Sequence, residues 1–155
     1  MNQSRKPTIT LLLLLANIAA AFYVLLNPSA IDQYGFNSVS PSIVTVFSSM
    51  FVHANALHLL GNMVFLAAVG AAVEIATGSG RFFLVYFLSG ALGVAMFWLS
   101  TRQMIDGPPL VGASGCIAGC ATYYSLRYTK VRVPLAPKAS SSVAVVTLTW
   151  LALQV

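Results

Sequence analysis

Charge is what this sequence has least of. Only 7% of its 155 residues are charged, and three are acidic: Asp32, Glu74 and Asp106. A soluble domain of this length carries roughly a quarter of its residues as charge, so a water-facing surface of ordinary size cannot be built from this chain. Histidine is confined to His53 and His58, and cysteine to Cys116 and Cys120. Two thiols one helical turn apart inside an apolar segment make a poor disulfide frame, and no CxxC pair occurs. They read as small packing residues. The histidines and thiols share no face or span and have no carboxylate nearby, so no metal site is expected. No glycine-rich loop joins a strand to a helix, so no nucleotide or other cofactor is expected either. The net charge of +5 comes from eight basic residues scattered among apolar runs. They form no basic face, which argues against a nucleic-acid partner.

Apolar residues are abundant instead: 58% of the chain is hydrophobic and the mean hydropathy is +0.84. The solvent for most of it is therefore lipid, and the expected partner surface is the bilayer. Five apolar stretches approach the length of about 20 residues that a bilayer demands: 8–26, 54–75, 82–100, 110–126 and 140–155. The first follows Arg5-Lys6 and has no small-x-small cleavage site, which reads as an anchoring helix rather than a signal peptide. A turn-rich segment, Asn27 to Pro41, and an amphipathic piece, Ser42 to Val52, separate the first two spans. With no internal repeat or low-complexity tract, the chain is expected to be one all-α domain, a polytopic transmembrane helix bundle over 1–155.

Basic residues fix the expected orientation. With the N-terminus cytoplasmic, the inner loops hold Arg5, Lys6, Arg81, Arg127, Lys130, Arg132 and Lys138, and only Arg102 lies outside. The opposite orientation would invert that bias.

Polar side chains inside such spans are costly and draw notice. His53, His58 and Asn62 fall at the start of the second span, and Ser114 near the start of the fourth. In the expected topology both spans begin at the outer surface, so all of these side chains share one depth. His58 and Asn62 are four residues apart and lie on one helix face. An imidazole beside an amide can supply the donors of an oxyanion hole, or simply bond a neighbouring helix. Ser114 sits in Gly112-Ala113-Ser114-Gly115 after the turn Gly107-Pro108-Pro109. There the free N–H groups of a helix start surround its hydroxyl, and the flanking glycines leave room for an extended peptide. A small-residue packing face is the other reading of that stretch. It is not the GxSxG elbow of soluble hydrolases, since position 116 is Cys and no strand precedes it.

Taken together, Phe51-Val52-His53, Leu57-His58-Leu59-Leu60-Gly61-Asn62-Met63 and Gly112-Ala113-Ser114-Gly115 resemble the rhomboid family of intramembrane serine proteases. Gly70-x-x-x-Glu74 and Gly78-Ser79-Gly80-Arg81 resemble that family's exit from its second helix. The resemblance covers about Phe51 to Tyr124. It implies a six-span fold in a bacterial-type plasma membrane, with Ser114 as nucleophile on transmembrane protein substrates. It assigns His58, Asn62 and Gly112 to the oxyanion and substrate site, with His53 at its outer mouth. It also implies a general-base histidine on a sixth helix, and no histidine follows Ser114 here. The outer loop lacks the Trp-Arg pair many relatives carry, and Ala118 stands where an aromatic residue often supports that histidine. The expectation is therefore a C-terminally truncated intramembrane serine endopeptidase. The alternatives are a non-catalytic pseudoprotease that binds transmembrane clients and an unrelated small membrane protein.

Overall fold

The computed structural model describes residues 6–128, the backbone of 132–136 and 139–142, and residue 145. Helices dominate it. In chain order they are α1 (Thr8–Leu26), α2 (Ala30–Tyr34), α3 (Ile43–Ser48), α4 (Ala56–Phe65), α5 (Ala71–Thr77), α6 (Ser79–Thr101) and α7 (Ser114–Arg127). A single π-helical turn, Leu66–Gly70, joins α4 to α5, so the three pieces form one span, Ala56–Thr77. Among the described residues, α1, Ala56–Thr77 and α6 are long and apolar enough to cross a membrane.

These helices bury and expose their faces in the opposite sense to a water-soluble bundle. The interior stripe of α1 carries Thr10, Leu13 and Asn17, while Leu11, Leu12, Leu15 and Phe22 face outward. On α4 the fully buried side chain is Asn62, and Leu57, Leu60 and Val64 are exposed. Polar groups turn inward because hydrocarbon cannot hydrogen-bond them, and leucine meets lipid without penalty. The chain is an integral membrane protein, an all-α bundle whose outer surface is its apolar face.

Close helix contact comes from small residues. On α6, Tyr86, Gly90 and Val94 recur at one-turn spacing and are buried. A Cβ added at Gly90 would collide with Cys116 Sγ and Met50, and one added at Gly119 would collide with Ser89. The Cα atoms of Gly90 and Gly93 each lie 4.0 Å from the position a Cβ would take on Gly115. The α6–α7 interface is therefore a near-backbone contact of the small-residue type. Cys116 and Cys120 are free and buried in it, which matches their reading as packing residues.

Glu74 ties three helices together at the other end of the bundle. Its carboxylate accepts from Ile9 N–H (2.9 Å), Thr10 N–H (2.8 Å), Thr10 Oγ1–H (2.8 Å) and Ser79 Oγ–H (2.6 Å). Ile9 and Thr10 lie in the first turn of α1, where N–H groups lack intrahelical acceptors and the helix dipole favours a negative charge. One turn before Glu74, a Cβ on Gly70 would lie 3.3 Å from Thr10 Cγ2. The Gly70-x-x-x-Glu74 pattern is thus the docking face for the start of α1.

Three details depart from the sequence expectation. The fourth helix begins at Ser114 rather than near Leu110, because Leu110 N–H and C=O are both bonded to Phe36 (2.9 Å each) in an isolated antiparallel bridge. The amphipathic piece is helical only over Ile43–Ser48, capped by the Ser42 side chain on Val44 N–H. The fifth span was expected from residue 140, but Ala139–Ser142 forms β2, an antiparallel strand against β1 (Arg132–Ala136). Apart from residue 145, the rest of that expected span lies outside the described residues.

Replacing Glu74 by alanine strands the first N–H groups of α1 and should lower unfolding stability in detergent by about 3 kcal/mol. Glu74→Gln should recover little, since its amide N–H2 would face donors. An alanine variant as stable as wild type in a denaturant titration would contradict this role.

Candidate active site

The α4 start is set by its cap. Asn55 Oδ1 accepts from His58 N–H at 2.8 Å, which fixes the first turn and so the direction in which His58 leaves the helix. Asn62 follows one turn later on the same face. It is completely buried, and neither its Nδ2 nor its Oδ1 has a hydrogen-bond partner among the described residues. An unpartnered buried amide is costly. Such a group calls for a structural or functional reason.

Gly112 is what this face meets. A Cβ at that position would lie 2.6 Å from His58 Nε2, 2.7 Å from His58 Cε1 and 3.4 Å from Asn62 Nδ2. The residue has φ +113°, a conformation open to glycine and strained for other residues. Its own N–H is already donated to Ser49 O at 2.8 Å. Gly112 therefore contributes close approach to the site rather than a donor.

Two residues on, Ser114 opens α7. The N-cap is Ala113, which offers no side-chain cap, and the first intrahelical bond runs from Ile117 N–H to Ala113 O at 3.0 Å. The N–H groups of Ser114, Gly115 and Cys116 are thus left without intrahelical acceptors. The Ser114 hydroxyl has no hydrogen-bond partner among the described residues, and the side chain is half-buried. It lines a cavity of about 130 Å³ bounded by Ser49, Met50, Gly90, Gly93, Gly112 and Gly115. Gly90, Gly93, Gly112 and Gly115 present no side chain to this cavity.

His53 stands just before α4 with its ring edge-on to His58, centroids 5.1 Å apart. Its Nδ1 donates to Phe51 O at 3.2 Å, so Nε2 carries the lone pair. Burial, with His58 adding to it, pulls His53 down to about 4, and the ring is neutral at pH 7.

The structure therefore gathers His53, His58, Asn62 and Gly112 into one cluster, with Ser114 two residues beyond it at a helix start. Sequence reasoning missed the parts that hold the cluster: the Ser49 carbonyl, the Phe36–Leu110 bridge and the Asn55 cap. Only Asn55 left a readable signal, as a capping residue three positions before His58. Among the described residues no group of three or more histidine, cysteine or acidic side chains could hold a metal.

Alanine at Gly112 would strain the backbone by about 1–3 kcal/mol and drive a methyl into His58. Gly112→Ala should therefore lower thermal stability in detergent, with a matching loss at the site. An unchanged melting temperature would show that the close approach is not required.

Comparison with known proteins places the chain in a family. The family model described as "Rhomboid domain" matches residues 40–155. The chain is 32% identical to "Rhomboid protease GluP" of Bacillus subtilis, over 76% of this chain and 24% of that protein. It is 31% identical to "Rhomboid protease AarA" of Providencia stuartii, over 79% of this chain and 52% of that protein. A plant relative, "RHOMBOID-like protein 1" of Arabidopsis thaliana, is 31% identical over 61% of this chain and 25% of its own length. The chain thus spans about half the length of these relatives or less. With three quarters of its residues under the family model and the His58, Asn62 and Gly112 cluster beside Ser114, the chain belongs to the rhomboid family.

Proposed function

We propose that this chain is an intramembrane serine endopeptidase acting on transmembrane protein substrates, with Ser114 as nucleophile. The observation that carries the reading is Ser114 itself: a hydroxyl without a hydrogen-bond partner among the described residues, at the first turn of α7 and beside a glycine-lined cavity. Ser114 Oγ attacks the carbonyl carbon of a peptide bond. The oxygen that gains charge is met by the N–H of Ser114 and by the side chains of His58 and Asn62. The unpartnered Asn62 amide supports that role, because it costs no existing bond when the oxyanion forms. Gly112 lets His58 and Asn62 approach, and His53, edge-on to His58, limits how far that ring can turn. The resemblance assigns the base that takes the Ser114 proton to a histidine on a later helix. The N-terminus lies on the cytoplasmic side of a bacterial-type plasma membrane, so Ser114 opens toward the outer face. The basic residues support that orientation.

A second reading has one observation in its favour. His53 is buried and edge-on to His58, and His58 packs on Gly112, so neither is placed by an observed contact on the Ser114 hydroxyl. A relative without a base would bind transmembrane clients and release them uncut.

The two readings separate in proteoliposomes holding the protein made from its full reading frame and a single-span reporter. The protease reading expects cleavage in or beside the span, its abolition by Ser114→Ala, and a fall of about 100-fold in kcat for Asn62→Ala. Cleavage by Ser114→Ala at the wild-type rate would refute the assignment. Stable co-purification of an uncut reporter with wild type would favour client binding.

A further inference from the structure

The second span is α-helical on both sides of a single π turn, Leu66–Gly70. An i→i+5 turn takes up one residue more than the α-helical turn it replaces, and such turns gather at functional sites. Leu66, Val69 and Gly70 are its buried residues, whereas Ala67 and Ala68 are exposed. The lipid side of the turn therefore consists of two alanines that lie outside the buried core.

The turn separates two side chains whose directions are both constrained. Asn62 on α4 is buried, with Nδ2 3.4 Å from the position a Cβ would take on Gly112. Glu74 on α5 is buried, with its carboxylate on Ile9, Thr10 and Ser79. They are twelve residues apart. In an unbroken α-helix that spacing sets them about 120° apart, at about 100° per residue. With one residue absorbed by the π turn, the span winds as eleven would, and the offset falls to about 20°. The same residues drawn into a regular α-helix could keep only one end in place. With Glu74 held on α1, α4 would turn by about 100° and carry Asn62 away from Gly112.

We propose that the π turn is the register element of the site, a positioning segment whose extra residue sets the His58–Asn62 face against Gly112 while Glu74 stays docked on α1. The catalytic use of that face rests on the protease reading. The register itself is read from stability, so each can fail alone.

Deletion of Ala68 tests it, in protein made from the full reading frame and held in detergent. Losing one residue converts the π turn to α-helix and leaves both ends of the span facing as before. This variant should melt at or above the wild-type temperature, and its Ser114 should react with a fluorophosphonate at the wild-type rate. Asn62→Ala should slow that reaction about 100-fold in both backgrounds. Deletion of Leu88 is the control. Leu88 is 67% exposed on α6, which is α-helical throughout, so its loss turns Tyr86 by about 100° relative to Gly90. That variant should melt far lower or fail to fold. An Ala68 deletion as damaging as the Leu88 deletion overturns the proposal. So does a Leu88 deletion as well tolerated as that of Ala68, or labelling of the Ala68 deletion that Asn62→Ala no longer slows. If wild-type Ser114 is not labelled, the protease reading falls, and the melting temperatures of the two deletions still decide the register.

Discussion

The backbone of Gly112 is the point through which the rest of this arrangement passes. It must accept the approach of His58 and Asn62 on one side while its N–H reaches Ser49 O on the other. Only a residue without Cβ and with φ near +113° satisfies both. Once it does, α7 cannot start earlier, and Ser114 becomes the first helical residue, its N–H unpaired within the helix. The segment between α1 and α4 follows from the same demand. Phe36 and Ser49 supply the acceptors and donors that residues 110–112 need within the membrane protein, where lipid supplies none. The long connection is therefore a brace for the approach to α7.

At the opposite end, Glu74 solves the complementary problem. The start of α1 brings N–H groups that must be satisfied, and one carboxylate satisfies two of them together with two hydroxyls. Between these polar ends the helices meet through glycine and small side chains on α6 and α7. Rigid ends and a close-packed middle fix the depth of α4 relative to α7. That depth sets where His58 and Asn62 stand beside the approach to Ser114. Among the described residues, the Asn62 amide and His53 Nε2 are buried without a hydrogen-bond partner.

Much of this was legible in the chain, for physical reasons that can be named. Low charge and long apolar runs disclose α1, Ala56–Thr77 and α6, because lipid acts as a uniform solvent and hydropathy measures it directly. Helix geometry alone puts His58 and Asn62 on one face. Hydropathy extended the fourth helix back to Leu110 because Leu110, Val111 and Gly112 are apolar or small. Their hydrogen-bond partners, Phe36 and Ser49, lie more than 60 residues away and leave no local trace. The π turn at Leu66–Gly70 and the strand over Ala139–Ser142 were also invisible. The first ends at Gly70, which packs against Phe82 of α6 and Thr10 of α1, contacts remote in sequence. The second follows a basic, proline-containing stretch in which a serine run carries no helical period.

The central claim is that the Ser114 hydroxyl is a nucleophile held ready at the start of α7. Its most direct test is covalent. The protein, made from its full reading frame, is treated with a fluorophosphonate and digested, and the adduct is mapped by mass spectrometry. The account predicts a single phosphonylated peptide containing Ser114, absent from Ser114→Ala and slower to form in Asn62→Ala. An adduct on another serine, or none on the folded protein, would contradict it.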